Sequence, residues 1–149
     1  MRFLLLLAPL LLVAQIEDRA IGTWRFVPKD STYQSAPAPR SSTRQWVKDG
    51  ARVKFIHDGV GADGKPFHTE FSAAYDNKLN PVTGGTLYDS VALTQRNPNR
   101  VDQTFTMKGK ITVKAIRTIS KDGKRMTIES RGKKSDGTIF RNLLVYERV

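Results

Sequence analysis

Two arginines, Arg44 and Arg117, stand where a charged side chain is out of place. Arg44 alternates in phase with Trp46, and Arg117 alternates in phase with Val113 and Ile119, so each falls on the apolar side of a stretch that reads as a half-buried strand. A guanidinium turned into an apolar interior is costly unless an opposite charge meets it, and the sequence shows no inward carboxylate to do so. A ligand carboxylate or phosphate would supply that charge, and the planar fork of arginine suits such an anion. The competing readings are a bulge that breaks the phase, or arginines stacked on Trp24 or Trp46 as cation–π partners.

Other chemistries find fewer residues. His57 and His68 flank a glycine-rich turn, but alternation puts His57 with Val53 and Phe55, and His68 opposite Phe67 and Phe71. Two histidines on opposite faces, with no carboxylate in phase, do not make a zinc site. The absence of cysteine removes thiol nucleophiles, disulfides and sulfur-ligated metals. Ser72, Ser90, Ser120 and Ser130 lie in no nucleophile-elbow setting, and Asp58 and Asp63 lack the spacing of a calcium loop. No catalytic residue, metal or cofactor is expected.

The elements that must position these side chains are strands. Apolar residues recur at period two between short turn-formers, with strands expected at 22–28, 42–48, 51–57, 66–75, 88–95, 100–107, 111–119, 124–130 and 138–147. Nine such strands joined by short turns predict an all-β, up-and-down antiparallel barrel, because closure removes the edges an open sheet would expose; a β-sandwich is the alternative. Residues 28–41, rich in proline, serine and alanine, read as an extended connection able to cover one mouth.

A shift of 73 residues superposes Arg44, Lys48-Asp49-Gly50, Arg52, Gly59, Asp63-Gly64 and Phe67 on Arg117, Lys121-Asp122-Gly123, Arg125, Gly132, Asp136-Gly137 and Phe140. Two copies of a three-strand meander, or two convergent Asp-Gly hairpins, explain the match. Taking Asp122-Gly123 and Asp49-Gly50 as two-residue turns sets Ile119 opposite Met126, Trp46 opposite Val53 and Arg44 opposite Phe55. The inner phase then holds Trp46, Phe55, Phe71, Phe105, Met107, Ile111, Met126, Leu144 and Tyr146, with Arg44, His57, Gln103, Arg117 and Asn142 as polar exceptions. Ile139, Leu143 and Val145 fall on the outer phase of the last strand, where they would mark a protein interface or lie beneath residues 15–21 or 28–41.

Residues 1–14, an arginine followed by an apolar run too short to span a bilayer, read as a secretory leader, which leaves one domain over 15–149 and predicts a periplasmic or extracellular protein. The net charge of the whole chain is +11, and outer-phase Arg52, Lys54, Lys114, Arg125 and Arg141 contribute to it. Such a surface attracts anionic envelope components such as lipopolysaccharide, lipid or polysaccharide. Outer aromatics for base stacking are not evident, so nucleic acid is not expected as a partner.

Gly22-Thr23-Trp24 on the first strand resembles the Gly-x-Trp opening of the calycin superfamily, the lipocalins and fatty-acid-binding proteins, and the ending Val145-Tyr146-Glu147-Arg148-Val149 is similar to the terminal strand of fatty-acid-binding proteins. Segments 30–39, 62–66 and 80–84 also look like a group of small exported bacterial lipocalin-like proteins of uncharacterised function. The resemblance implies a barrel with a ligand cavity for a small apolar or amphiphilic molecule, and closure of one end by Trp24 packed against Arg148. Leu144 stands where the fatty-acid-binding pattern has an arginine, and residues 28–41 leave no room for that family's two-helix lid. The ligand-binding residues expected are Arg44, Arg117, Trp46, Phe55, His57, Phe71, Phe105 and Tyr146.

Overall fold

A computed structural model describes residues 17–149, so the leader expected over residues 1–14 lies outside the described residues. Ten antiparallel strands follow one another: β1 (Gly22–Phe26), β2 (Ser41–Asp49), β3 (Arg52–Val60), β4 (Pro66–Ala73), β5 (Asn80–Thr83), β6 (Ser90–Asn97), β7 (Arg100–Met107), β8 (Lys110–Ile119), β9 (Arg125–Lys133) and β10 (Ile139–Arg148). Each pairs with its sequence neighbours, and β1 also pairs with β10, so the sheet closes into an up-and-down barrel and not a sandwich. Nine of the ten match the strands read from alternation. The tenth, β5, is four residues long and contains Pro81, too short and too proline-bearing to show period two.

Closure depends on β1. It carries three register pairs to β10, including Trp24 opposite Arg148, and four to β2, including Trp24 opposite Arg44. The strand stops at Phe26 and the chain swings out through a 3-10 turn at Pro28–Asp30. It then rejoins β10 where Thr32 and Leu143 exchange backbone hydrogen bonds. This detour covers Val145, which is buried although it belongs to the outer phase. Leu143 and Ile139 remain exposed.

Residues 17–21 seal the end of the barrel that carries Trp24. Asp18 turns inward and both its oxygens accept from Arg117 Nη2 at 2.7 Å. One also accepts from the backbone N–H of Ala20, and the other from the Tyr75 hydroxyl. Trp24 Nε1 donates to the Ala20 carbonyl at 2.8 Å, and the Arg148 guanidinium lies 4.2 Å over the Trp24 ring while donating to the carbonyls of Arg19, Ile21 and Gly123. The expectation that Arg117 has no inward carboxylate is therefore corrected: its partner comes from a segment with no strand periodicity to place it.

The register of the β8–β9 hairpin sets Ile119 opposite Met126 and Arg117 opposite Ile128, as read from sequence. The β2–β3 hairpin differs. Asp49 pairs with Arg52, so Gly50-Ala51 is the turn, with Gly50 at φ +61° in the position where a type II′ hairpin takes glycine. Trp46 faces Phe55 and Arg44 faces His57. The slip is two residues, an even number, so every side chain keeps the face assigned to it. The second hairpins of the two copies coincide: Phe55 faces Phe71 and Gly59 faces Phe67, and 73 residues on Ile128 faces Leu144 and Gly132 faces Phe140. At both glycines a Cβ would collide with the facing phenylalanine ring, at 2.5 Å and 2.7 Å, which makes the meander repeat a structural one. A bulge between β7 and β8, where Phe105 pairs with Val113 but Thr106 with Ile111, overturns one inner-phase assignment. Ile111 is 58% exposed and Thr106 is buried beside a half-buried Met107.

Removing one member of the Asp18–Arg117 pair leaves the other charge buried alone, which costs about 3–5 kcal/mol. Urea unfolding of Asp18→Ala is expected to show a loss of that size, and Asp18→Leu combined with Arg117→Met is expected to recover most of it. Equal losses in the single and double variants would contradict the assignment of this pair to the barrel seal.

Candidate functional site

Above the sealed end the interior is not filled. A cavity of about 220 Å³ lies among residues of β2, β3, β4, β7, β8, β9 and β10. Its apolar wall is an aromatic cluster in which the Trp46 and Phe55 rings are 4.6 Å apart, Phe55 and Phe71 4.9 Å, and Tyr88 and Phe105 4.4 Å. Val113, Ala115, Ile128 and Leu144 complete it. The rim comes from two connections: Tyr33, Ser35 and Ala36 of the front segment, and residues 86–88 before β6. Asn142 fixes the first of these, since its Oδ1 accepts from the backbone N–H groups of Gln34 and Ser35 and its Nδ2 donates to Ser35 Oγ at 2.9 Å.

The polar part of the wall centres on Arg44. Its Nε donates to the Tyr146 hydroxyl at 2.9 Å, and the guanidinium lies 4.8 Å from the Tyr146 ring centre and 5.5 Å from that of Phe55. Among the described residues no carboxylate forms an ion pair with it. Tyr33 and Tyr88 both feel its charge. Burial pushes both phenols above their ordinary value, and the nearby guanidinium only partly opposes this, so both hydroxyls stay protonated and able to donate. Gln103 and Ser130 add two more polar side chains.

His57 sits beside this wall. It is packed between the rings of Phe55 and Phe67, and its Nε2 shares a 2.6 Å hydrogen bond with Ser42 Oγ, which itself reaches the Tyr146 hydroxyl at 3.4 Å. Loss of hydration, reinforced by the Arg44 charge, holds its pKa well below the usual histidine value. His68 is exposed on the outer face, where hydrogen bonds to Asp58 and Glu70 raise its pKa. Among the described residues no group of three or more acidic or histidine side chains is placed to hold a metal ion.

Of the residues singled out by sequence, Arg44, Trp46, Phe55, Phe71 and Phe105 meet at the cavity, with Tyr146 and His57 behind Arg44. Trp24 and Arg148 belong to the opposite, sealed end. Arg117 is not on the cavity wall: Asp18 neutralises it, and its guanidinium lies 4.2 Å over the Trp46 ring. Among the described residues, three buried donors near that stack, Trp46 Nε1 and Arg117 Nε and Nη1, meet no acceptor. Sequence reasoning missed Tyr33 and Tyr88, the first in a proline-rich connection and the second at a strand edge, where alternation gives no direction.

No family model matches the chain, and no curated protein is similar to it in sequence. Solved structures do resemble it. Zebrafish ileal bile acid-binding protein complexed with cholic acid is similar with a TM-score of 0.52 at 12% identity, over 89% of this chain and 100% of that one. Lobster apocrustacyanin A1 is similar with a TM-score of 0.47 at 12% identity, over 88% of this chain but only 61% of the lobster chain. The zebrafish protein thus shares the fold, a closed antiparallel β-barrel.

The two histidines are expected to titrate on opposite sides of the ordinary value of about 6.5. Below that pH the unfolded chain binds a proton that folded His57 refuses, so stability linked to neutral His57 is present above it and falls as the solution is acidified. The contribution of His68 has the opposite sign: it is present below the ordinary value and is lost as pH rises through the raised one. Proton NMR of the imidazole resonances checks both, and a His57 that titrates at or above 6.5 contradicts the buried geometry.

Proposed function

We propose that the protein binds a small amphiphile without catalysis, seating an apolar body against Trp46, Phe55, Phe71 and Phe105 and an anionic head against Arg44. The observation that carries this is the contrast between the two inner arginines. Arg117 has its carboxylate in Asp18, whereas Arg44 lies on a cavity wall with no carboxylate and with phenols around it. A cation so placed is stabilised by an anion that brings its own charge, and the fork geometry favours a carboxylate or sulfate accepting from two nitrogens. The protonated hydroxyls of Tyr33 and Tyr88 donate toward the same region.

The cavity is smaller than the roughly 300–1,000 Å³ of typical ligand pockets, which supports a short or slender ligand. The rim residues Tyr33 and Tyr88 lie on connections and not on strands, so the mouth is the part of the barrel best able to adjust. The zebrafish structure, which is complexed with cholic acid, supports the same class of ligand by likeness of fold alone. Export, read from residues 1–14, belongs to this proposal and would set the binding event outside the cytoplasm.

Native mass spectrometry of protein purified from the cells that make it, followed by denaturing extraction, tests the reading. A stoichiometric anionic amphiphile is expected, lost in Arg44→Gln and retained in Lys65→Gln, whose side chain is exposed and does not line the cavity. Affinity for the extracted molecule is expected to fall at least tenfold in Arg44→Gln, about 1.4 kcal/mol. Undiminished binding in that variant would sink the proposal.

A further inference from the structure

The outer face of the barrel carries a second feature, independent of the cavity. Of the outer cations read from sequence, Arg52 is engaged with the Ser72 carbonyl and Asn80, Lys54 with Glu70, and Arg125 with Asp30. Lys114 and Arg141 have no such partner, and the register joins them through a third cation. Arg141 on β10 lies directly opposite Arg131 on β9, and Arg131 lies directly opposite Lys114 on β8. All three are exposed, and none forms an ion pair among the described residues. Like charges placed directly across a sheet are destabilising, and here two such contacts occur in succession with no carboxylate between them.

The row lies along a surface groove of about 890 Å³ that crosses the strands from Thr32 and Gln34 beside β10 to Thr94 and Arg96 on β6, with Asn77 at that end. Five strands at sheet spacing make its length roughly 19 Å. Two carboxylates border it. Asp102 is held by Arg96 and Arg100, at 2.7 Å and 2.9 Å, and Glu129 lies one row away, opposite Leu143 and Ile116. Because the charges lie in a line along a groove, they match a linear polyanion better than a flat membrane. The groove wall contains no aromatic side chain, so it offers no stacking platform for bases. Beside the apolar Ile116 and Leu143, its uncharged polar members that are not buried include Thr32, Gln34, Asn77, Thr94 and Thr104, whose side chains can hydrogen-bond hydroxyl groups.

We propose that the Arg141–Arg131–Lys114 row is a docking groove for an acidic polysaccharide, with carboxylate or sulfate groups of successive sugars bridging neighbouring cations. The anion removes the cross-strand repulsion that the empty row sustains. Binding weakens steeply with salt, because exposed charges at these separations are screened.

The test is fluorescence anisotropy with labelled polyuronate and sulfated octasaccharides, on the full chain at low salt. Wild-type protein is expected to bind one or both. Arg131→Gln with Lys114→Gln is expected to weaken binding at least tenfold and to leave the Tm equal or higher, since repulsion is removed. The charge-matched control, Lys65→Gln with Lys121→Gln, is expected to stay within twofold of wild type. Equal weakening in the control, or no binding of either octasaccharide to wild type, overturns the groove. Tighter, row-dependent binding to phosphatidylglycerol vesicles or to a single-stranded oligonucleotide also overturns the polysaccharide assignment, in favour of that partner. Arg44→Gln is expected to bind the octasaccharides normally, which separates this site from the cavity.

Discussion

The structure depends on a five-residue strand. β1 hydrogen-bonds to the first long strand on one side and to the last on the other, and without it the remaining nine strands would be left with two open edges. Open edges invite pairing with other chains. Closure removes them, but it also creates an interior that side chains must fill or a ligand must occupy. Trp24, fully buried in the middle of β1, fills the end where closure happens, and the carbonyls of residues 19–21 that satisfy Trp24 and Arg148 bring Asp18 to its place beneath Arg117. One short strand therefore sets the sealed end, and the sealed end leaves the cavity at the other.

The repeat explains why two arginines point inward at all. Arg44 and Arg117 align in the sequence repeat and keep the same phase in two three-strand meanders whose second hairpins share their register, but the two-residue slip of the first hairpin sets Arg44 opposite His57 and Arg117 opposite Ile128, the counterpart of Phe55. The copies then diverge by environment. Next to the seal, a carboxylate from outside the meanders cancels the charge and Trp46 stacks on the guanidinium. Next to the cavity, Arg44 donates to the Tyr146 hydroxyl and meets no carboxylate among the described residues. The same side chain in the same phase is ion-paired in one copy and hydrogen-bonded to a phenol in the other.

Much of this was legible from residue order. The alternation fixes strands, and the Asp-Gly turns space them, so the closed barrel and the inward direction of Arg44, His57 and Phe71 follow from period two. What escaped was whatever carries no period. Asp18 precedes the first strand in a segment whose only signal is its partner's need for a charge. Tyr33 and Tyr88 sit in connections, and β5 is too short to alternate. The bulge at Thr106 reversed Ile111 because one extra residue flips everything beyond it, whereas the two-residue slip at Gly50-Ala51 left every face intact. Lines of charge across strands, such as Arg141, Arg131 and Lys114, require a register before they can be seen.

Under the proposed function, Arg44 reads an anionic head inside the barrel. Isothermal titration with two probes that share a chain and differ only in the head, octanoate and octanol, isolates that contact from apolar burial. The account predicts that wild type prefers octanoate by at least tenfold and that Arg44→Gln binds the two equally. An alcohol bound as tightly as the acid by wild type, or a preference for the acid that survives Arg44→Gln, would contradict it.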